Sequence, residues 1–155
     1  LLKKLKFSVL SADTFKKYLS LVKRLLFLGG DKMKSKYIVV VDDAKDNQLI
    51  LKVFLSKLGY EAVVAKNGSE ALPLLTTFKP SLVISDIMMP NMGGFEFLEK
   101  LKKLPQFSNL PVILMSSTKE AVAKPIAKDL SAYAFLEKPI NFIKLKSLIT
   151  SVLAA

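Results

Sequence analysis

From Tyr37 onward, apolar runs of strand length alternate five times with stretches whose apolar residues recur at helical spacing, and no other feature restricts the fold as much. The strand-like runs are 37–41, 61–65, the stretch from Ser81 to Asp86, 110–115 and 133–136. The helical stretches lie near 46–58, 69–78, 95–104, 119–130 and from Asn141 to about Leu153. Strict β/α alternation with short links implies an α/β fold with a parallel sheet, right-handed crossovers and helices on both faces. In the first helix Leu49, Ile50, Val53, Phe54, Leu55 and Leu58 are expected on the inner side, with Gly59 as the stop. Asn67-Gly68 turns the chain into the second helix, where Pro73 lies early enough to be tolerated or to kink it. Pro125 is expected to bend the fourth, and Asn141 to cap the fifth.

The polar residues that end the strands carry the chemistry. Leu82-Val83-Ile84 in succession suits a central strand covered on both faces, and it ends on Asp86 before a turn at Pro90. Tyr37-Ile38-Val39-Val40-Val41 ends on Asp42-Asp43. Ligands in open α/β sheets gather at the carboxyl ends of the strands, so three carboxylates are brought to one edge. The bland alternatives are a polar strand cap for Asp86 and a helix-capping turn for Asp42 and Asp43. Neither alternative accounts for two strands ending the same way.

The 155 residues make one domain, with half of them hydrophobic. There is no cysteine and no histidine, which removes disulfides, thiolate metal sites and the commonest general base and transition-metal ligand. Any metal must therefore take oxygen ligands, which points to a hard cation such as Mg²⁺. The formal charge of +11 suggests nucleic acid until it is located. Residues 1–36 hold ten Lys/Arg against two Asp, a net +8, and residues 37–155 hold fourteen against eleven, a net +3. No nucleic-acid partner is expected of so mildly basic a body without a DNA-reading motif. No run of about 18 apolar residues indicates a membrane span.

Residues 1–36 read as a basic N-terminal extension and linker, separate from the domain at 37–155. Phe15, Tyr18, Leu19, Val22 and Leu26 fall at helical spacing beside Lys16, Lys17, Lys23 and Arg24. Met33 is a natural start, and codons for Gly29-Gly30 can contain the GGAGG that bacterial ribosomes recognise, so the upstream segment is expected to be translated leader. The competing reading is an amphipathic helix, within residues 1–30, that lies on an anionic membrane surface.

Taken together, these residues resemble one family, the receiver domain of bacterial two-component response regulators, and its stand-alone chemotaxis-regulator-like members in particular. The likeness covers about 37–153. It rests on the acidic pair after the first strand, the Asp-x-x-Met-Pro-x-Met-x-Gly run at 86–94, Ser116 ending the fourth strand 22 residues before Lys138, and Lys138-Pro139 ending the fifth. The resemblance implies a flavodoxin-like five-stranded sheet in the order 2-1-3-4-5. It also implies that Asp86 accepts a phosphoryl group from a histidine kinase or histidine phosphotransfer protein. Asp43, Asp86 and the Met88 carbonyl would hold Mg²⁺, with Asp42 acting mainly through water. Ser116 and Lys138 would stabilise the phosphoryl group, Pro139 would form a defined turn, through a cis peptide as in the family, and Phe135 would turn from exposed to buried as the switch. The protein would then be a cytoplasmic signalling switch acting on a downstream effector protein, not an enzyme beyond assisting its own phosphorylation and dephosphorylation.

Three other readings compete. A Mg²⁺-dependent phosphatase with an Asp nucleophile usually needs a carboxylate two residues on, where this chain has Met88. A non-phosphorylated pseudo-receiver would lack an Asp or the Lys, and none is missing. A flavodoxin-like electron carrier would need a phosphate-cradling loop after the first strand. Leu130-Ser131-Ala132, where many relatives have Gly or Ala-Gly, and Pro125 both depart from the family pattern beside the expected output surface.

Overall fold

The computed structural model describes residues 36–154; the expectations for the N-terminal segment lie outside the described residues, apart from Lys36. Five strands, β1 (Tyr37–Val41), β2 (Glu61–Ala65), β3 (Leu82–Asp86), β4 (Val112–Ser116) and β5 (Ala134–Glu137), form one parallel sheet in the order β2-β1-β3-β4-β5. Between and after them run α1 (Lys45–Lys57), α2 (Gly68–Phe78), α3 (Gly94–Lys102), α4 (Glu120–Asp129) and α5 (Phe142–Ala154), with a 3₁₀ turn at Pro105–Phe107.

Alternate residues of each strand point to opposite faces, and here the two sets build two separate apolar layers. Val39, Val41, Val83, Val112 and Leu114 pack with Leu75 of α2, Phe97, Leu98 and Leu101 of α3, and Ala123 and Ala127 of α4. Ile38, Val40, Leu82, Ile84, Ile113 and Met115 pack with Leu51 and Leu55 of α1 and Leu145 and Ile149 of α5. Each of the larger side chains, Val, Leu, Ile, Phe or Met, taken fully from water contributes about 1.5–3 kcal/mol before chain entropy is subtracted.

The inner side of α1 differs from the sequence expectation. Leu51 and Leu55 are buried and Phe54 and Leu58 partly so, whereas Leu49, Ile50 and Val53 are at least half exposed. Residues 51, 54, 55 and 58 share one narrow arc at about 100° per residue. Leu49, Ile50 and Val53 fall well outside that arc.

Proline accounts for most of the boundary differences. Leu104 precedes Pro105 and is extended, with φ −88° and ψ 113°, as steric clash with the proline ring requires, so α3 ends at Lys102 and a 3₁₀ turn takes over. Pro111 has no N–H for the ladder, so β4 begins at Val112, while the Pro111 carbonyl still accepts from Val83. Helices α2 and α4 run through Pro73 and Pro125. Asn67 and Asn141 cap α2 and α5, each side-chain oxygen accepting a backbone N–H at 3.0 Å, from Glu70 and Lys144.

Sheet register sets the functional edge. Val41 lies opposite Ser85, and Asp86 opposite Met115. The residues directly after β1 therefore emerge beside the last residue of β3.

Candidate functional site

Asp42, Asp43 and Asp86 meet at the carboxyl edge, with one oxygen from each lying within 4.8 Å of the others. At that spacing like charges repel by about 3 kcal/mol per pair at an effective dielectric near 20, with less for the pairs that include exposed Asp43. Lys138, arriving from the end of β5, answers part of this charge. Its Nζ donates to Asp86 Oδ2 at 2.9 Å and to Asp42 Oδ2 at 3.1 Å. Burial alone would lower the ammonium's pKa, but the hydrogen bond and charge of Asp86, and then Asp42, outweigh it and raise the value above 10.5. The pairing is thus at full strength below the ordinary lysine value, and lost only as pH climbs past the raised one.

The three carboxylates differ in how far their acceptor capacity is used. Buried Asp42 accepts at Oδ1 from the Ala44 N–H (2.9 Å) and the Asn47 Nδ2 (3.2 Å), and at Oδ2 from the same Asn47 amide (3.1 Å) and from Lys138. A carboxylate has about four lone-pair sites, and among the described residues three donors address Asp42, with Asn47 shared between its oxygens. Among the described residues, Asp86 accepts at Oδ1 from the Ile87 N–H at 2.7 Å and, weakly, the Met88 N–H at 3.4 Å, and at Oδ2 from Lys138 alone. Asp43 is exposed. Gln48 Nε2 meanwhile ties the Asp42 carbonyl (2.6 Å) to the Ala65 carbonyl (3.3 Å), fixing the end of β1 to that of β2.

The donor set fits a hard divalent cation. Only oxygen ligands converge here, Asp43 and one Asp86 oxygen keep lone pairs open, and three carboxylates with one ammonium leave a charge of about −2.

The loop after β3 is held against that strand by glycine. A Cβ on Gly94 would collide with the Asp86 carbonyl oxygen and lie 2.9 Å from the Ile87 Cα, and the Gly94 N–H donates to the Ile87 carbonyl at 2.9 Å. The Met88 side chain is 67 % exposed at the rim. Fully buried Ser116 ends β4, with its Oγ accepting the Thr118 N–H at 3.0 Å, and its carbonyl accepts the Lys138 N–H at 2.8 Å. The Lys138–Pro139 peptide is cis.

Phe135 departs from the sequence expectation of an exposed resting position. It is only 7 % exposed and belongs to the layer of Leu114, Ala123 and Ala127. The small side chains of α4 leave room for the ring, and Tyr133, at 47 % exposure, is the aromatic on the outside.

Sequence reasoning missed Asn47 and Gln48. In the polar first turn of a helix both read as solvated residues, and only their distance from the acidic pair, four and five residues past Asp43, hinted at a reach back to it.

The family model for the response regulator receiver domain matches residues 38–150. Protein PilH of Pseudomonas aeruginosa is 32% identical over 117 residues, which cover 76% of this chain and 97% of that protein. The probable transcriptional regulator ycf27 of Cyanophora paradoxa is 33% identical over 122 residues, 79% of this chain but only 50% of that regulator. This chain thus spans about half the length of that curated relative. Among solved structures, the chemotaxis protein CheY4 of Vibrio cholerae superposes with a TM-score of 0.70 at 29% identity, covering 76% of this chain and 98% of that one.

Proposed function

The chain belongs to the response regulator receiver family, and from that premise we propose that it is a phosphoryl-accepting switch of a two-component phosphorelay, with Asp86 as the acceptor. The observation that carries the reading is the convergence of Asp42, Asp43 and Asp86 at the end of the central strand, with Lys138 bridging Asp42 and Asp86. One open Asp86 oxygen attacks the phosphorus of a phosphohistidine on a partner kinase or phosphotransfer protein. The new O–P bond forms as the N–P bond breaks, and the electron pair leaves with the imidazole.

Mg²⁺ would be held directly by Asp43, Asp86 and the Met88 carbonyl, with Asp42 acting through water, and when bound it neutralises charge on the transferring phosphoryl oxygens. Lys138 carries its own positive charge to the same oxygens, moving from the Asp86 carboxylate to the group that Asp86 acquires. Ser116 supplies the hydroxyl that can donate to the phosphoryl group once its side chain turns toward it. Output is by binding a downstream effector protein, and the setting is the cytoplasm. Among the described residues no helix is long and apolar enough to cross a membrane.

The test is incubation with Mg²⁺ and a small acyl-phosphate donor. The wild type gains one phosphoryl group that is acid-stable and base-labile, and Asp86→Asn gains none. Uptake by Asp86→Asn at the wild-type rate would overturn the assignment.

A further inference from the structure

Resting on the cation site proposed above, we propose that Asn47 is a positioning residue that sets which cation the site prefers. Its amide nitrogen lies 3.2 and 3.1 Å from the two oxygens of buried Asp42, so one side chain lies across both in a single three-centre hydrogen bond. The Ala44 N–H takes a position on Oδ1 and the Lys138 ammonium one on Oδ2. With three protein donors on about four acceptor positions, Asp42 keeps room for the hydrogen bond of a metal-bound water but cannot become a direct ligand unless one of the donors withdraws. The Ala44 donor is main chain, fixed where β1 enters α1. Lys138 is shared with Asp86. Asn47 is therefore the donor whose removal frees an Asp42 lone pair without disturbing the rest of the cluster.

Divalent cations respond differently to a filled third carboxylate. Mg²⁺ keeps several waters and uses one or two carboxylates in a strict octahedron, so it tolerates an Asp42 that interacts only through water. Ca²⁺ takes six to eight oxygens in a flexible shell and gains from every carboxylate it can reach. By withholding Asp42, Asn47 denies Ca²⁺ a third direct carboxylate and leaves the Mg²⁺ arrangement intact.

The test is calorimetric titration of the full chain with MgCl₂ and with CaCl₂, for wild type, Asn47→Ala and Asn47→Ser, with thermal unfolding in chelator to check the fold. Asn47→Ala is expected to shift the ratio of the two dissociation constants toward Ca²⁺ by about fivefold or more. Asn47→Ser, which can donate to only one oxygen, should fall between. A merely structural role would weaken both cations alike and leave the ratio unchanged, which would overturn the inference. Should the variants not fold, the side-chain amide resonances of Asn47 in the wild type decide the matter. They stay in place on saturation with Mg²⁺ if the hydrogen bonds to Asp42 persist, and their release by Mg²⁺ overturns the proposal. Saturable binding of neither cation to the wild type would instead bring down the cation site itself, and this inference with it.

Discussion

Met88 stands two residues past Asp86, its side chain 67 % exposed and unable to orient water. Hydrolysis of a phosphoryl group on Asp86 needs a water held in line with the phosphorus, and exposed Thr118 is the polar side chain at the corresponding place past Ser116. Met88→Asn should speed loss of the phosphoryl group by roughly five- to tenfold, the equivalent of one added hydrogen bond of about 1 kcal/mol; decay followed by mass would show it, and an unchanged half-life would sink this account. Gly94 makes a second residue-scale case. Because a Cβ there meets the backbone of Asp86 and Ile87, Gly94→Ala should cost about 1–3 kcal/mol in urea unfolding and slow phosphoryl uptake together. The acidic residues were legible because carboxylates ended two apolar runs, and Lys138 only through the resemblance that the Lys138-Pro139 pair helped to carry. Asn47 was not, since an amide in a polar first turn looks the same whether it faces water or a carboxylate earlier in the chain. Phe135 was legible as a buried-or-exposed alternative but not in its resting position, which depends on the small side chains of α4 across from it.

Two helices end in the same hydrogen-bonded motif with different residues at its strained position. In α1 the Gly59 N–H donates to Ser56 and the Tyr60 N–H to Leu55, both at 3.0 Å; in α4 the Ser131 N–H donates to Lys128 at 2.9 Å and the Ala132 N–H to Ala127 at 2.8 Å. Both central residues are left-handed, Gly59 at φ 86° and Ser131 at φ 61°. A side chain there costs about 1 kcal/mol, and nothing lies within 4 Å of a Cβ on Gly59, so the penalty would be conformational alone. Ser131→Gly should therefore stabilise the domain and Gly59→Ser destabilise it, each by about 1 kcal/mol, measured by urea unfolding; changes of the same sign would refute the shared geometry. The element order and sheet order were legible because strand and helix periods differ so plainly. The inner face of α1 was not, because apolar residues at 49, 50, 51, 53, 54 and 55 surround much of the helix and periodicity alone does not choose among them. The 3₁₀ turn at Pro105–Phe107 hid for a related reason: Pro105 marks where a helix must stop but does not dictate the conformation of the residues beyond it.

At the scale of the whole molecule, the two apolar layers and the acidic edge make opposite contributions. The layers drive folding, while three clustered carboxylates oppose it unless a cation joins them, so stability should depend on divalent ion. At a hundredfold excess of Mg²⁺ over its dissociation constant the fold gains about 2.7 kcal/mol, or roughly 10 °C in Tm for a domain of this size. Chelator should reverse the gain, and a Tm indifferent to Mg²⁺ would contradict it. Elements between Tyr37 and Ala154 cover both faces of the sheet, α1 and α5 on one side and α2, α3 and α4 on the other. All five strands are paired in register from residue 37 onward. Burial on both faces is what a parallel sheet needs, so a chain beginning at Met33 should fold cooperatively and accept a phosphoryl group at the rate of the 155-residue chain. The two forms are to be compared by thermal unfolding, by uptake from an acyl-phosphate donor and by binding to vesicles containing anionic lipid. Equal Tm and uptake, with no vesicle binding by either, would fit a segment that takes no part in the switch. Binding by the long form alone would assign the segment to a membrane surface, and failure of the short form to fold would make it a structural part of the domain.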